Sequence, residues 1–255
     1  MKLSTIKYFL SETGDTARFA FQFLVVLFKP RYEFAELLRQ CFFIGYRSLP
    51  LVAITAFIMG LVITIQSRPT LVEFGAQAWL PKMVSVSLVR EIAPVITALI
   101  CAGKIGSGIG AELGSMKVTE QIDAMEVSGT NPFKFLVATR VLATTFMLPL
   151  LGVLADAVSL YGGYLGANIR GVVSWDLYWN QVFETLTYGD IIPAIIKTFF
   201  FGFAIGIIGC YKGFSTKKGT EGVGLSANSA VVVASLLVFI LDLLAVQITD
   251  MLGLN

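Results

Sequence analysis

The chain has 255 residues, of which 56% are hydrophobic and only 14% are charged, and its formal net charge is +2. Soluble domains usually carry about 25% charged residues, so this composition excludes an ordinary soluble protein and predicts an integral membrane protein. The small net charge gives no argument for nucleic-acid binding. The chain has no histidine and only three widely spaced cysteines, so we expect no metal site and no cofactor.

The first 48 residues are predicted to lie at the cytoplasmic face of the membrane. They hold seven basic residues and one apolar run, 19–28, which Lys29-Pro30 ends. A membrane span needs about 20 residues, so this run is too short to cross. We interpret it as a helix that lies in the membrane interface. The alternative is a helix packed against the rest of the bundle.

Five later segments are apolar and long enough to cross the membrane as helices, and they predict an all-α protein. They are about 49–66, 83–108, 135–165, 191–210 and 230–248. The polar and aromatic stretch 166–190 predicts an external loop with an interfacial helix. Asp156 and Asp242 lie inside the third and fifth spans, where each is either a structural acceptor or a proton-relay acid. We treat residues 1–255 as a single membrane domain.

The distribution of basic residues predicts which way the spans run. With the N-terminus inside, the inside segments hold 14 of the 19 basic residues and the outside segments hold three. This is a strong positive-inside bias. The remaining two, Arg90 and Lys197, lie within spans. We therefore predict a cytoplasmic N-terminus, a cytoplasmic segment between spans two and three, and a C-terminus on the far side.

Glycine is dense between residues 103 and 114 but does not form a nucleotide site. The sequence contains no phosphate-binding G-x-x-x-x-G-K-[ST] motif, and no strand–turn–helix unit surrounds these glycines. Gly-x-x-x-Gly spacing, which lets helix backbones approach closely, occurs instead at Gly106/Gly110, Gly110/Gly114, Gly162/Gly166 and Gly202/Gly206. Packing within the chain is the expected role, and a dimer seam is the alternative.

Two stretches carry the polar groups that suggest function. Arg90 and Glu91 are adjacent in the second span, where a charge at a helix centre costs about 2.5–3.5 kcal/mol on insertion scales. They either line a polar cavity or tie helices together. The segment 115–127 mixes charges with apolar residues at helical spacing, and it ends at a Gly-x-Asn-Pro breaker. This pattern is typical of a helix that docks into a groove of a partner.

These stretches resemble the MlaE/YrbE family of permeases, the membrane subunits of Mla/Mce-type lipid-transport ABC systems. The similar residues are Leu88 to Pro94, Ala102 to Ser107, Ala111 to Glu126, Asn131-Pro132 and Arg140. The most specific run is Ala-Glu-x-Gly-x-Met-Lys-x-Thr-Glu-Gln, and the likeness extends over about residues 30–250. Family members often have Gly-Arg-x-Gly-Ser where this chain has Lys104, which keeps the charge but loses the planar guanidinium fork.

The resemblance implies a non-catalytic permease of the bacterial inner membrane, in which a partner subunit hydrolyses ATP. It implies that two permease copies pair, that an ABC ATPase binds each copy on the cytoplasmic side, and that a periplasmic Mce-domain protein carries the phospholipid. The residues expected to contact lipid are Gln66, Phe74, Arg90 and Glu91. Those expected to couple to the ATPase are Gly114, Lys117, Glu120, Gln121, Asp123 and Glu126.

Two other function classes compete with the permease interpretation. A secondary transporter or channel would use Asp156 and Asp242 as ion or proton sites. A membrane-embedded lipid enzyme is disfavoured, because the chain has no histidine and no recognisable arrangement of a nucleophile and its base.

Overall fold

The computed structural model describes residues 2–28, 33–169, 171, 173–217 and 219–253, and these form helices and turns without a strand. The helices are α1 (Lys2–Leu27), α2 (Phe34–Glu73), α3 (Leu80–Ser87), α4 (Ala93–Cys101), α5 (Ser107–Val118), α6 (Gln121–Val127), α7 (Thr139–Asn168), α8 (Trp175–Thr185), α9 (Tyr188–Phe214) and α10 (Thr220–Met251). The predicted helix end at Lys29-Pro30 lies outside the described residues, as do Arg31, Arg170 and Lys218 of the charge count.

Five helical runs within the described residues are long and apolar enough to cross a membrane. They are Phe34–Glu73, Gln77–Val118, Phe133–Asn168, Tyr188–Phe214 and Thr220–Met251. This confirms the predicted all-α protein with five spans. Each helical run is longer than the apolar segment that the sequence predicted, because polar residues beyond the ends of that segment continue the helix. Helix α1 precedes the first run, and α6 lies between the second and third, as predicted.

The second and third runs contain wide turns of π-helix. These turns cover Leu88–Ile92, Ala102–Gly106 and Phe133–Ala138. A π-turn inserts one extra residue into an α-helix, and it is frequently found at functional sites. The first of the three contains Arg90 and Glu91, so the two adjacent charges lie where the regular helix is interrupted.

The helices form two compact units, and each unit gathers three separate stretches of the chain. The first unit comprises Met1–Ile44, Ala102–Thr145 and Gly202–Leu237, and the second comprises Gly45–Cys101, Phe146–Phe201 and Val238–Asn255. Both units therefore depend on contacts between residues that are distant in sequence. The prediction of one membrane domain over residues 1–255 stays a prediction.

In the first unit, α1 packs by one face and exposes the other. The ring of Phe19 lies 4.9 Å from that of Phe133 and 6.0 Å from that of Phe214, and Phe23 is only 2% exposed. Phe21, on the opposite face, is 67% exposed. The alternative prediction, a helix packed against the rest of the bundle, therefore describes the buried face of α1. The apolar residues exposed on its other face are what an interfacial helix requires.

Glycines allow helices of the second unit to approach until their backbones touch. A Cβ added at Gly60 in α2 would lie 1.9 Å from the backbone oxygen of Ser159 in α7. A Cβ at Gly162 would lie 2.4 Å from the backbone oxygen of Phe57. Only glycine permits such an approach, so the Gly162/Gly166 pair packs within the chain, as expected.

Two Gly-x-x-x-Gly pairs of the first unit also face helices of the same chain. A Cβ added at Gly202 would lie 2.5 Å from the backbone oxygen of Thr144, and one at Gly110 would lie 3.3 Å from the Cβ of Ala230. Packing within the chain therefore accounts for these glycines as well.

Helix α8 confirms the short helix that was predicted within residues 166–190. The hydroxyl of Ser174 accepts a bond from the backbone N–H of Leu177 at 3.3 Å and caps the helix. Tyr178 is buried, and its hydroxyl donates to the backbone oxygen of Leu160 at 3.1 Å. Burial raises the pKa of Tyr178, because it disfavours the phenolate. Trp175 is half exposed, as suits an interfacial aromatic.

Candidate functional site

The second unit brings together five charged side chains from three helical segments, and we call them the polar cluster. Arg90 and Glu91 come from the π-turn at Leu88–Ile92 and Asp242 comes from α10, while Asp190 and Lys197 come from α9. All five belong to segments that are apolar enough to span a membrane. Charges in such segments are rare and usually mark a substrate path or a structural pair.

Lys197 is the centre of the polar cluster. Its Nζ lies 2.8 Å from Oε2 of Glu91 and 2.9 Å from Oδ1 of Asp242, and its side chain is 5% exposed. Hydrogen bonds between two charged groups are about twice as strong as neutral ones. One buried ammonium thus joins the second, fourth and fifth spans through two carboxylates.

Arg90 is paired with Asp190, which is itself held by the start of α9. The Nε of Arg90 donates to Oδ1 of Asp190. Oδ2 of the same carboxylate accepts from the backbone N–H and from the hydroxyl of Thr187, each at 2.7 Å. Thr187 immediately precedes α9, so the bond from its backbone N–H to the Asp190 side chain is one half of a capping box. It fixes the carboxylate to the helix end and thereby orients the guanidinium of Arg90.

Asp190 and Lys197 were missed as site residues by the sequence analysis. Lys197 was noted within a span, but no partner was assigned to it. The two residues are seven apart on α9 and therefore lie on the same face, two turns from each other. A lysine in an apolar span, with an acid two turns away, was the available signal.

The polar cluster borders two cavities that share part of their lining. One cavity, of about 170 Å³, is lined by four charged residues, and we call it the polar cavity. The charged residues are Arg90, Glu91, Asp190 and Lys197, and the other lining residues are Gly189, Pro193, Ala194, Ala245, Val246 and Thr249. An apolar cavity of about 510 Å³ lies between α9 and α10 and is lined chiefly by aliphatic and aromatic side chains. Lys197 lines both cavities. A molecule with a charged head and an apolar body would match this arrangement.

The structure gathers only some of the predicted lipid-contacting residues. Arg90 and Glu91 lie in the polar cluster and line the polar cavity. Gln66 and Phe74 are exposed on α2 and just after its end, and they are not among the described residues that line either cavity. A contact between Gln66 or Phe74 and lipid therefore stays a prediction.

The two acids that were predicted within spans have different surroundings. Asp242 is bonded to Lys197 and is not an isolated acid. Asp156, on α7, is half-buried, and its Oδ1 is buried without a hydrogen-bond partner in the part of the chain that the structure describes. Asp242 is therefore one of the five side chains of the polar cluster, and Asp156 is not.

Residues 114–126, which we call the coupling segment, are divided between two helices in the first unit. The sequence pattern predicted one helix over 115–127, and this is wrong in its extent: α5 ends at Val118 and α6 begins at Gln121. The backbone of Glu120 is left-handed, with φ of 59°. This conformation cannot continue a right-handed helix, so the chain changes direction at Glu120.

The coupling segment presents most of its polar side chains to the surface. Glu120, Gln121, Asp123 and Glu126 are exposed, whereas Ile122 is buried. The Nζ of Lys117 lies 2.8 Å from Oδ1 of Asp123 and links the end of α5 to α6.

Gly114 differs from the other residues of the coupling segment because it is buried. A Cβ there would lie 2.8 Å from the hydroxyl of Thr216. We therefore interpret Gly114 as a packing residue that sets α5 against the end of α9, while the exposed residues form the surface that a partner could contact.

Comparison with known proteins agrees with this architecture. The family model of the permease MlaE matches residues 37–248. A probable ABC transporter permease protein of Rickettsia typhi is 38% identical over 244 residues, which cover 96% of this chain and 94% of the relative. A probable ABC transporter permease protein of Synechocystis is 38% identical over 80% of this chain and 77% of its own length.

A third relative carries a more specific name. The intermembrane phospholipid transport system permease protein MlaE of Haemophilus influenzae is 33% identical over 220 residues, which cover 86% of this chain and 84% of the relative. The family match covers nearly all of the stretch that contains the five membrane runs. The chain is a multi-pass membrane protein that belongs to the MlaE permease family.

Proposed function

We propose that this chain is the membrane-spanning permease subunit of an ABC transporter that moves phospholipid between the inner membrane and a periplasmic Mce-type carrier. ATP hydrolysis is assigned to a partner subunit. The observation that carries the proposal is the pair of adjoining cavities in the second unit. An apolar volume suits acyl chains, and the charged groups beside it suit a headgroup.

The polar cluster offers the groups that a phospholipid headgroup needs. The side chain of Arg90 is 30% exposed and its guanidinium matches the geometry of a phosphate. Lys197 lines both cavities and is the second cation. This arrangement favours a permease over a secondary transporter, because Asp242 is engaged by Lys197 and does not form an ion site by itself.

The coupling segment is proposed to seat on an ABC ATPase at the cytoplasmic face. Its exposed acids and glutamine, Glu120, Gln121, Asp123 and Glu126, form a polar surface around a short helix anchored by buried Ile122. A short exposed helix with one apolar anchor suits a groove in a partner. Movement of the ATPase would then act on α5 and α6 directly.

Orientation and assembly follow from the charge distribution and from the family. The N-terminus is assigned to the cytoplasm and the C-terminus to the periplasm, in keeping with the positive-inside bias. Two copies are proposed to pair. The spanning window of α10 is the least buried of the five, with 17% of its residues buried, and this leaves an apolar face that a second copy would cover.

The function is tested by reconstitution. The chain is combined with a partner ATPase in lipid nanodiscs, and an Mce-domain carrier is added. The movement of a fluorescent phospholipid to the carrier is then followed with and without ATP. We expect transfer that depends on ATP. Transfer that persists without ATP, in a preparation that retains no ATPase, would contradict the permease assignment.

The coupling surface is tested by reversing two of its charges. The double substitution Glu120→Lys and Asp123→Lys should abolish co-purification of the ATPase, because both side chains are exposed and reversal replaces attraction with repulsion. The matched control is Glu73→Lys with Asp176→Lys, which reverses two exposed acids of the second unit. Gel filtration should show that both variants remain folded. Unchanged ATPase binding in the first variant would contradict the assignment.

A further inference from the structure

Acidic residues outnumber basic residues in the second unit, although the whole chain is slightly basic. Its described basic residues are Arg47, Arg68, Lys82, Arg90 and Lys197, and its acidic residues are Glu73, Glu91, Asp156, Asp176, Glu184, Asp190, Asp242 and Asp250. Eight acidic residues thus stand against six basic residues when Arg170, which lies outside the described residues, is counted. The imbalance continues within the polar cluster, where it bears on what the cavities bind.

Lys197 cannot neutralise all the carboxylates that its charge reaches. It donates to Glu91 and to Asp242, so that one positive charge serves two carboxylates. Arg90, the other cation of the polar cluster, is paired with Asp190, whose side chain is buried. The polar cluster thus holds three acidic residues, Glu91, Asp190 and Asp242, against two basic ones. A charge without a partner is costly in a low-dielectric interior, and a bound cationic group would meet this demand for positive charge.

Glu91 is the carboxylate through which a ligand can meet that demand. Its side chain is 44% exposed, compared with 19% for Asp242 and 4% for Asp190. One of its oxygens accepts from Lys197, and the residue lines the polar cavity. A carboxylate has about four acceptor positions, so Glu91 has acceptor capacity beyond the bond to Lys197.

We propose that the cavities select phospholipids whose headgroup carries a primary ammonium. This inference rests on the proposed function and adds the headgroup class. The ammonium would donate to Glu91 while the phosphate accepts from Arg90, so that one zwitterionic headgroup satisfies both signs of charge. A primary ammonium has three N–H donors. A trimethylated ammonium has none, and a glycerol headgroup brings no positive charge.

The experiment uses the full chain in nanodiscs that contain equal amounts of phosphatidylethanolamine, phosphatidylcholine and phosphatidylglycerol. The protein is withdrawn with its bound lipid, and the lipids are quantified by mass spectrometry. We expect phosphatidylethanolamine to be enriched about tenfold over each of the others, which corresponds to about 1.4 kcal/mol. Bound lipids in the bulk ratio would overturn the inference.

Two variants separate the role of charge from that of shape. Glu91→Gln removes one negative charge from the lining of the polar cavity with almost no change of volume, and it should reduce the enrichment. Asp176→Asn is the matched control, since Asp176 is an exposed acid of the same unit on α8, and it should keep the enrichment. If Glu91→Gln keeps it as well, the inference is wrong. Failure of the proposed function looks different, because then no phospholipid of any class would be bound or transferred.

Discussion

The polar cluster and the coupling segment both concentrate charge, but they use it in opposite ways. In the polar cluster, Lys197 is 5% exposed and holds two carboxylates from other segments. In the coupling segment, Lys117 and Asp123 are 37% and 54% exposed, and the pair joins neighbouring helices. Buried charges with several partners contribute to the fold and to the cavity beside them, whereas exposed pairs leave the fold almost unaffected and are available to a partner.

The largest expected effect comes from removing the central cation of the polar cluster. Lys197→Met leaves Glu91 and Asp242 without their partner in a mostly apolar environment. Breaking a buried ion pair in this way costs roughly 3–5 kcal/mol. We expect the free energy of unfolding to fall by about that amount in an SDS titration performed in bicelles.

The control for this substitution is an exposed pair of the same unit. The Nζ of Lys82 lies 3.1 Å from Oε2 of Glu184, whose side chain is 71% exposed. Because exposed ion pairs contribute about 0–1 kcal/mol, Lys82→Met should lower the free energy of unfolding by less than about 1 kcal/mol. Equal losses of unfolding free energy in Lys197→Met and Lys82→Met would show that burial does not determine how much each ion pair contributes to stability.

Two glycine substitutions should change the free energy of unfolding by an intermediate amount. It should fall for a glycine of the second unit and rise for a glycine of the first. Gly60→Ala places a Cβ 1.9 Å from a backbone oxygen that cannot rotate away, and overpacking of this kind costs about 1–3 kcal/mol. Gly108, in α5, has no atom within 4 Å of an added Cβ. Gly108→Ala should therefore raise the free energy of unfolding by up to about 1 kcal/mol, since alanine favours helix.

Thermal unfolding of both glycine variants in the same detergent provides the measurement. The expected order of midpoints places Gly108→Ala above the parent protein and Gly60→Ala below it. A stabilised Gly60→Ala variant would mean that α2 and α7 do not approach as closely as the structure shows.

The features that the sequence predicted are those with a local signal. Apolar windows revealed the five spans, and an amphipathic pattern between two of them revealed the coupling segment. Arg90 and Glu91 were conspicuous because they interrupt an apolar window. Each of these signals is contained in about 20 consecutive residues, which is the length over which hydropathy and helical periodicity are informative.

The partners within the polar cluster could not be predicted in the same way. Arg90 and Asp190 are 100 residues apart, and Glu91 and Lys197 are 106 residues apart. Their pairing depends on which faces of distant helices meet, which no local pattern encodes. The break at Glu120 was missed for a different reason: a left-handed residue is usually glycine or asparagine, and neither is present there.

The smallest effect on stability is expected in the coupling segment, where it should be accompanied by a loss of partner binding. Lys117→Met removes the exposed pair with Asp123, so the free energy of unfolding should fall by less than about 1 kcal/mol. The pair also fixes α6 relative to the end of α5, so its loss should weaken ATPase association in a pull-down. Arg18→Met is the control, because it removes an exposed pair with Asp15 in α1, outside the coupling segment. If both variants bind the ATPase as the parent protein does, Lys117 does not position the coupling surface.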